Sequence, residues 1–111
     1  MDYVIFDLEW NQCPYGKGKE NPKLPFEIIE IGAVKMDGER NVVRTFHRIV
    51  KPVVYQHLHH RTREVVGLTE EDLQNGIPFA QAVQEFFAFS GGACTVSYTH
   101  LRAHETGRNL V

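Results

Sequence analysis

Three segments in the first half of the chain carry the hydrophobic pattern of β-strands. Tyr3 to Trp10 combines apolar, aromatic and β-branched residues in a short run, which is typical of a strand buried on both faces. Phe26 to Met36 repeats a strand pattern, Asp37-Gly38 is a strong hairpin-turn signal, and Asn41 to Val50 supplies a return strand. We therefore expect three antiparallel strands, with a long surface loop from Asn11 to Pro25 between the first two.

Helix signals replace the strand pattern in the second half of the chain, after a segment from Val53 to His60 that fits neither pattern. Arg61 to Val66 predicts one or two helical turns, which Gly67 would end. Thr69 is a suitable N-cap for a second helix, Glu70 to Gln74. Two short helices should therefore follow the unplaced segment.

A third helix is predicted to begin with Pro78 at its first position and to run through Phe89, where Ser90-Gly91-Gly92 stops it. Its apolar residues fall on one face at helical spacing. These are Phe79, Ala82, Val83, Phe86 and Phe87. Three strands followed by helices predict an α/β fold in which the helices pack against the sheet.

Composition indicates one small globular domain, since the chain has 111 residues and a hydrophobic fraction of 42%. The net charge of −2 gives no overall positive field for a polyanion, so any contact with nucleic acid must be local. Cys13 and Cys94 lack CxxC spacing and no signal peptide precedes them, which favours the reducing cytoplasm. No apolar run is long enough to cross a membrane. Nothing in the sequence indicates an oligomeric state.

Residues 95–111 continue neither the strand pattern nor the helix pattern of the rest. The run VSYTHLRAHET, Val96 to Thr106, resembles one reading frame of the transposon-end adapter used in sequencing libraries. We therefore expect a partial domain at residues 1–94 and an adapter-derived, disordered tail at 95–111 that supplies no strand; a genuine basic tail is the alternative. If the tail is adapter, His100 and His104, which have the spacing of a zinc pair on a helix, carry no function.

The candidate chemistry of the chain lies in two carboxylates, Asp7 and Glu9, on the first predicted strand. Their spacing of two places both side chains on the same face. Like charges this close destabilise a fold unless a cation lies between them, and hard oxygen ligands favour Mg²⁺ or Mn²⁺. The alternative is an edge strand with one face in water, where the two carboxylates need no metal.

Four successive runs of sequence together resemble the DEDD family of 3′-5′ exonucleases. They are VIFDLEWNQ, FEIIEIGAVKM, a return strand ending in IVKP, and VVGLTEEDLQNGIPFAQAVQEFFAF. The resemblance covers Tyr3 to about Phe89 and is strongest for the DEDDh exonucleases of the histone-mRNA and small-RNA-processing kind, which include bacterial proteins named as sporulation-kinase inhibitors. It implies a ribonuclease H-like fold, here truncated to three antiparallel strands followed by short helices.

The resemblance also implies a site and a substrate. Asp7 would bridge two ions, Mg²⁺ or Mn²⁺, and Glu9 would bind one of them, so that nucleotides are released singly from the 3′ ends of single-stranded RNA or DNA. Residues expected to face the terminal nucleotide are Leu8 and Trp10, through their backbone, and Gly67, Leu68 and Thr69, around its base and sugar. Core packing is the alternative role for Trp10, and helix capping is the alternative role for Thr69.

The resemblance ends before the site is complete. The family uses four acidic ligands and, in its commonest branch, a general-base histidine, whereas no aspartate follows Asp72 in this sequence. We therefore expect this chain to be inactive and, because it lacks strands of the fold, prone to aggregation. Two other functions are a protein-binding regulator with an exonuclease-like fold and a proofreading domain of a DNA polymerase; a start at Met1, directly before the first strand, argues against the second.

The remaining histidines and lysines favour ordinary surface roles. The histidines lack a paired cysteine or a regular helical spacing, so hydrogen bonding or solvation is expected for His47, His57, His59 and His60. The lysines of the first loop are also expected to be solvated, with a contact to substrate phosphates as the alternative. They are Lys17, Lys19 and Lys23.

Overall fold

The computed structural model describes residues 1–16 and 18–98, which form a four-stranded mixed sheet with three helices. The strands are β1 (Tyr3–Gln12), β2 (Phe26–Met36), β3 (Val42–Ile49) and β4 (Cys94–Tyr98). The helices are α1 (His60–Val66), α2 (Glu70–Gln74) and α3 (Phe79–Ser90). The sheet order is β3-β2-β1-β4, so β1 lies between two hydrogen-bonded neighbours.

The first three strands are antiparallel, as the sequence predicts. Asp37 organises the turn between β2 and β3, because its Oδ1 accepts hydrogen bonds from the backbone N–H groups of Glu39 (2.8 Å) and Asn41 (2.9 Å). The bond from the Asn41 backbone is the main reason that the pKa of this carboxyl is lowered. The strong turn signal at Asp37-Gly38 therefore has a direct structural cause.

β4 corrects the expectation that the residues from Thr95 onward supply no strand. Cys94–Tyr98 pairs in parallel with β1, with Tyr3 opposite Cys94 and Asp7 opposite Tyr98. The pairing uses backbone groups, which every residue carries, so a segment with no clear hydrophobic period can still extend a sheet. The rest of the tail, residues 99–111, including His100 and His104, lies outside the described residues.

A hydrophobic core forms between α3 and one face of the sheet. The buried residues are Val4, Ile31, Ala33, Phe46, Val50, Ala82 and Phe89, with Phe6, Leu8 and Phe86 packed against them. The amphipathic third helix is thus confirmed. Pro78, predicted at the first helical position, is instead the N-cap residue. The prediction that Phe79 and Phe87 belong to the buried face of this helix is wrong, since both are exposed. The face that meets β2 and β3 instead centres on Ala82, Phe86 and Phe89.

A second, smaller cluster covers the other face of the sheet near the end of β1. It consists of Ile29, Leu58 and Leu73, with Ile49, Val66 and Leu68 packed against them. Glu9, Glu30 and Ile49 lie directly opposite one another on β1, β2 and β3, so this cluster and Glu9 share a face. The first two helices therefore pack on the face opposite α3, beside the carboxylates.

Buried polar side chains anchor the segment between β3 and α1, which the sequence pattern left unplaced. Glu27 is 8% exposed, and its carboxylate accepts hydrogen bonds from the backbone N–H groups of Val53 (2.7 Å), Val54 (3.0 Å) and Tyr55 (2.9 Å). Three N–H donors satisfy a buried carboxylate that would otherwise be costly to desolvate. The segment is therefore ordered by side-chain to backbone bonds rather than by its own helix or strand pattern.

Residue Asn11, directly opposite Glu27 on β1, holds the next part of the same segment. It is fully buried, donates a hydrogen bond to the His57 carbonyl (2.9 Å) and accepts one from the His59 N–H (2.9 Å). These two bonds bring the beginning of α1 against the end of β1.

Among the described residues, no helix has the length and apolar character needed to cross a bilayer.

Replacing Glu27 tests this anchor. We expect Glu27→Ala to lower the free energy of unfolding by roughly 2–4 kcal/mol, because it leaves one buried and two partly buried N–H groups without their acceptor. Glu27→Gln, which keeps one acceptor oxygen, should cost less. Urea denaturation followed by circular dichroism measures both, with Glu39→Ala in the exposed turn as the matched control. Equal stabilities for Glu27→Ala and Glu39→Ala would contradict the role of Glu27.

Candidate active site

Asp7 and Glu9 lie on an interior strand, because β1 is hydrogen-bonded to β2 on one side and to β4 on the other. The register between β1 and β2 runs without interruption through both residues, with Asp7 opposite Gly32 and Glu9 opposite Glu30. Residues two apart on such a strand point to the same face. The predicted shared face is therefore confirmed. The alternative of an edge strand is wrong for Asp7, the last residue of β1 that pairs with β4, whereas Glu9 pairs with β2 alone in the part of the chain that the structure describes.

The face that carries the two carboxylates is only partly covered. Asp7 and Glu9 are half-buried, so the prediction of a strand buried on both faces is wrong here, although Oδ1 of Asp7 is itself fully buried. A Cβ atom added to Gly32, opposite Asp7, would meet no other atom within 4 Å. His47, opposite Gly32 on β3, makes a hydrogen-bond contact through its Nε2 with the Glu30 carboxylate. Asp7, Glu9 and Glu30 therefore lie on one face of the sheet, on which Gly32 leaves space above the backbone.

These residues fit part of a site for a divalent cation. Two half-buried carboxylates on one face supply the hard oxygen ligands that Mg²⁺ and Mn²⁺ prefer. Within residues 1–16 and 18–98, however, no group of three or more His, Cys, Asp or Glu side chains is arranged to hold a metal ion. Asp7 and Glu9 are therefore suited to contribute ligands to a metal site but do not form a complete one in this part of the chain.

A cleft opens beside Glu9, where β1 meets α1. The β1–β2 register shifts immediately after Glu9, so that Trp10 lies opposite Ile28 and Ile29 is the extra residue of a bulge. Bulges increase strand twist and redirect side chains, and Trp10 is left 37% exposed. The cleft has a volume of about 360 Å³, and its lining includes Glu9, Trp10, Phe26, Arg61, Thr62 and Val65. Trp10 is thus a cleft residue rather than a core residue.

The position of α1, one wall of this cleft, is fixed at its first turn. The Nδ1 atom of His59, the N-cap, accepts a hydrogen bond from the Arg61 N–H at 3.1 Å. Burial lowers the pKa of His59, as do the nearby positive charges of His60 and Arg61. The neutral imidazole is therefore favoured near neutral pH, which leaves Nδ1 able to accept the capping bond.

The beginning of α2 is tied to the same region through Glu70. Its Oε2 accepts a hydrogen bond from the Leu58 N–H at 2.9 Å and lies 3.3 Å from Nδ1 of His57 and 3.2 Å from Nη2 of Arg63. The Leu58 bond is the largest cause of the lowered pKa of Glu70, followed by the two basic neighbours. Glu70 therefore links the anchored segment, α1 and α2.

The turn between α1 and α2 has a clear structural role at each residue. Gly67 ends α1 in the left-handed conformation (φ 67°), which favours glycine. Leu68 packs into the cluster with Leu73. Thr69 caps α2, because its hydroxyl accepts from the Asp72 N–H (3.0 Å) while the Asp72 carboxylate accepts from the Thr69 N–H (2.9 Å). The N-cap predicted for Thr69 is confirmed.

The structure thus brings some of the predicted site residues together more closely than others. Glu9 and Trp10 line the same cleft, and Asp7 lies on the strand face of Glu9 but does not line that cleft. The side chain of Leu8 points to the opposite face, into the core with α3. Leu68 packs against the cluster on the carboxylate face, but Gly67, Leu68 and Thr69 are not among the residues lining the Glu9 cleft. Their predicted contact with a nucleotide stays a prediction.

Several cleft residues were not predicted from the sequence. Phe26 was assigned only to a strand, and Arg61 and Thr62 only to a helix. A signal for the helix wall does exist, since Thr62, Val65 and Val66 follow the i, i+3, i+4 spacing of one helix face. No comparable signal exists for Phe26, because its position depends on how β2 begins beside the end of β1.

Comparison with known proteins adds independent information. A family model described as exonuclease matches residues 4–103. The PolC-type DNA polymerase III of Thermotoga petrophila is 36% identical over 73 residues, which are 65% of this chain. The corresponding polymerase of Thermotoga maritima is 33% identical over 72 residues. The chain spans 5% of the length of each polymerase.

Solved structures share the fold. The nuclease domain of 3′hExo, a DEDDh family member crystallised with rAMP, superposes with a TM-score of 0.70 at 18% identity, covering 96% of this chain and 55% of that one. E. coli exonuclease I in complex with a dA13 oligonucleotide gives a TM-score of 0.61 at 16% identity, covering 86% of this chain and 20% of that one. The α/β architecture is therefore that of ribonuclease H-like exonucleases, as predicted.

Substitution of Thr69 tests its capping role. We expect Thr69→Ala to lower the free energy of unfolding by about 1 kcal/mol, because the Asp72 N–H loses its acceptor. Thr69→Ser retains a hydroxyl and should restore most of this stability. Chemical denaturation measures both variants. If Thr69→Ala were as stable as the original chain, the cap would contribute nothing.

Proposed function

Because this chain belongs to the exonuclease family, we propose that it forms the first part of the active site of a metal-dependent 3′-5′ exonuclease. The observation that carries the proposal is the placement of Asp7 and Glu9 on one face of an interior strand, with a cleft beside Glu9. Carboxylate oxygens held on one face of a strand are the hard ligands that divalent cations such as Mg²⁺ and Mn²⁺ prefer. The substrate class proposed is the 3′ end of single-stranded RNA or DNA.

In this proposal Asp7 and Glu9 hold Mg²⁺ or Mn²⁺ through their carboxylate oxygens. When bound, such ions activate water and stabilise the charge that develops on a phosphate undergoing hydrolysis. The residues of this chain bind and orient the nucleotide that carries the phosphate. Trp10 offers an exposed aromatic face to the terminal base, and Arg61 offers a cation to its phosphates.

The turn from Gly67 to Thr69 has a second role in the proposal, as a wall around the base and sugar of the same nucleotide. Support comes from Leu68, which packs against the same buried cluster as Ile49. Ile49 lies in one row with Glu9 across the sheet. Helix capping by Thr69 is compatible with this role, because a capped, rigid turn keeps its backbone in a fixed position. Backbone groups at Leu8 and Trp10 complete the contact.

We further propose that these 111 residues do not catalyse hydrolysis by themselves. The described part of the chain has two carboxylates suited to a metal site but no arrangement of three or more ligands. Activity requires further acidic ligands and, for the DEDDh branch, a histidine that accepts a proton from water. The proposed assignment to the histone-mRNA and small-RNA-processing subgroup requires the same additional residues.

A nuclease assay and a metal-binding assay test the two statements separately. With Mg²⁺ and a 5′-labelled single-stranded oligonucleotide, we expect no shortening beyond that seen with Asp7→Asn. Mn²⁺ binding should nevertheless be detectable by electron paramagnetic resonance and should weaken by about tenfold or more in Asp7→Asn and Glu9→Gln, since each loses an anionic ligand. The matched control is Glu39→Gln, an exposed turn residue.

Each outcome has a distinct meaning. Mg²⁺-dependent shortening by the original chain, absent from Asp7→Asn, would disprove the proposed inactivity while supporting the metal site. Mn²⁺ affinities that are the same in all four proteins would disprove the metal site itself.

A second candidate function is supported by the similarity to PolC-type polymerases. The 36% identity over 73 residues is with a segment of a DNA polymerase III, so the chain is also suited to be a proofreading exonuclease module. This candidate uses the same Asp7 and Glu9 chemistry but requires a polymerase on the same polypeptide. Sequencing the source gene beyond the codon for Cys94 distinguishes the two, because a polymerase module must follow in one case and is absent in the other.

A further inference from the structure

A second cleft opens where the core under α3 reaches the surface of the molecule. Its volume is about 320 Å³, which is within the range of roughly 300–1,000 Å³ that is usual for binding sites. Ile28, which lines it, packs on the core between α3 and the sheet, and Phe79, the first residue of α3, lies at its edge. Trp10 and Phe26 line this cleft as well as the one beside Glu9 and so form a wall between them. The second cleft therefore continues the α3 side of the sheet, whereas the carboxylates lie on the other side.

Large apolar side chains around the second cleft are exposed to solvent. Eight of its ten lining residues are apolar, and the two charged ones are Glu27 and Lys51. Val53 is 77% exposed, and four larger apolar residues of the lining are exposed as well. These are Trp10, Leu24, Phe26 and Phe79. Single exposed apolar residues are normal on a protein surface, whereas several around one cavity are typical of a site of interaction.

The walls of the second cleft are fixed by hydrogen bonds within the protein. The buried Tyr55 donates from its hydroxyl to the Leu24 carbonyl at 2.7 Å and accepts from the Asn21 N–H at 3.0 Å. The wall that carries Val53 is held by the Glu27 carboxylate, which accepts from its N–H. Both walls are thus tied to the rest of the fold. A cleft of fixed shape binds a ligand with a smaller loss of conformational entropy than a mobile one.

The rim of the second cleft is basic. Lys51 lines the cleft and is exposed, and the exposed Lys23 directly precedes Leu24. Neither lysine forms an ion pair in the part of the chain that the structure describes. α3 begins at Phe79 with no capping side chain and no acidic residue in its first turn, so the positive end of the helix dipole adds to this charge. The carboxylate of Glu27, by contrast, is buried and already bonded to three N–H groups.

We propose that the second cleft binds an extended acidic segment of a partner protein. A large apolar side chain of that segment fills the cavity, and carboxylates on either side of it meet Lys51 and the beginning of α3. Charge complementarity selects this occupant, because an acidic segment neutralises the basic rim while its apolar side chain covers the exposed lining. The inference does not depend on the proposed function, since the metal ligands of that function lie on the other face of the sheet.

Charge also disfavours two other occupants of the second cleft. A second copy of this chain, docked through the same patch, would bring the lysines of both copies together, where like charges repel. A single-stranded nucleic acid gains most of its affinity from several phosphate contacts, whereas Lys51 is the one cation among the lining residues. An acidic peptide needs only a few cations beside an apolar cavity.

Peptide binding to the full 111-residue chain tests the proposal. The probe is a fluorescein-labelled peptide of sequence GSEELFEEGS, titrated by fluorescence polarisation without divalent cations. The comparison peptide GSEEGGEEGS lacks the apolar pair and should bind at least about tenfold more weakly, because no side chain fills the cavity. The comparison peptide GSQQLFQQGS lacks the charges and should bind about fivefold more weakly in low salt. The advantage of the probe over this uncharged peptide should shrink in high salt.

Variants of the protein locate the binding site. Val53→Asp places a negative charge at the cleft and should weaken probe binding by about tenfold or more. The matched control is Val42→Asp, the same substitution at an exposed valine of β3 outside the cleft, which should leave binding unchanged. Lys51→Glu should weaken binding of the probe more than binding of GSQQLFQQGS, and Lys51→Arg should retain both affinities. Circular dichroism verifies that all variants are folded.

Several results would overturn the proposal. Equal effects of Val53→Asp and Val42→Asp on probe binding, or equal affinities for the probe and GSEEGGEEGS, would show that the cleft does not bind the peptide. A dimer in sedimentation analysis that Val53→Asp dissociates would assign the cleft to a second copy instead. A dT oligonucleotide whose binding is weakened by Val53→Asp but not by Val42→Asp would assign it to nucleic acid. Because no divalent cation is present, none of these results bears on metal binding by Asp7 and Glu9.

Discussion

The structure depends on a pair of buried polar side chains, Asn11 and Glu27, that lie opposite each other where β1 and β2 begin to separate. Together they make five hydrogen bonds to the backbone of residues 53–59. Buried polar groups are stable only when satisfied, so this arrangement fixes the path of the segment. The segment in turn sets the position of α1, and α1 forms one wall of the cleft beside Glu9. A pair of polar residues inside the fold thereby determines the shape of a site at its surface.

The central strand β1 serves two different purposes on its two faces. Val4, Phe6 and Leu8 contribute to the core under α3. Asp7 and Glu9 occupy the other face, which is only half-covered. Because the strand packs on the core through its other face, the backbone at Asp7 and Glu9 is held in a fixed position. This rigidity makes the pair suitable for binding a cation in a defined place.

Local sequence signals predicted most of the elements because each has a local physical cause. Asp37 receives the turn hydrogen bonds, Gly67 adopts a left-handed conformation, and Thr69 caps α2. The period of two likewise predicted that Asp7 and Glu9 share a face. The wrong predictions concern residues whose burial depends on tertiary packing. Phe87 has the same chemistry as Phe89, and only the packing of α3 on the sheet determines which of them is buried.

The sequence by itself determined the order and type of the first six elements, the paired carboxylates and the resemblance to exonucleases, because these depend on residues close together in the chain. Tertiary structure alone decided that β1 lies between β2 and β4, that Cys94–Tyr98 adds a parallel strand, and that Phe26 and Arg61 line the cleft beside Glu9 together. Those features join residues tens of positions apart. Hydrogen-bond register, a bulge after Glu9 and burial of polar anchors control them, and no local periodicity records such long-range constraints.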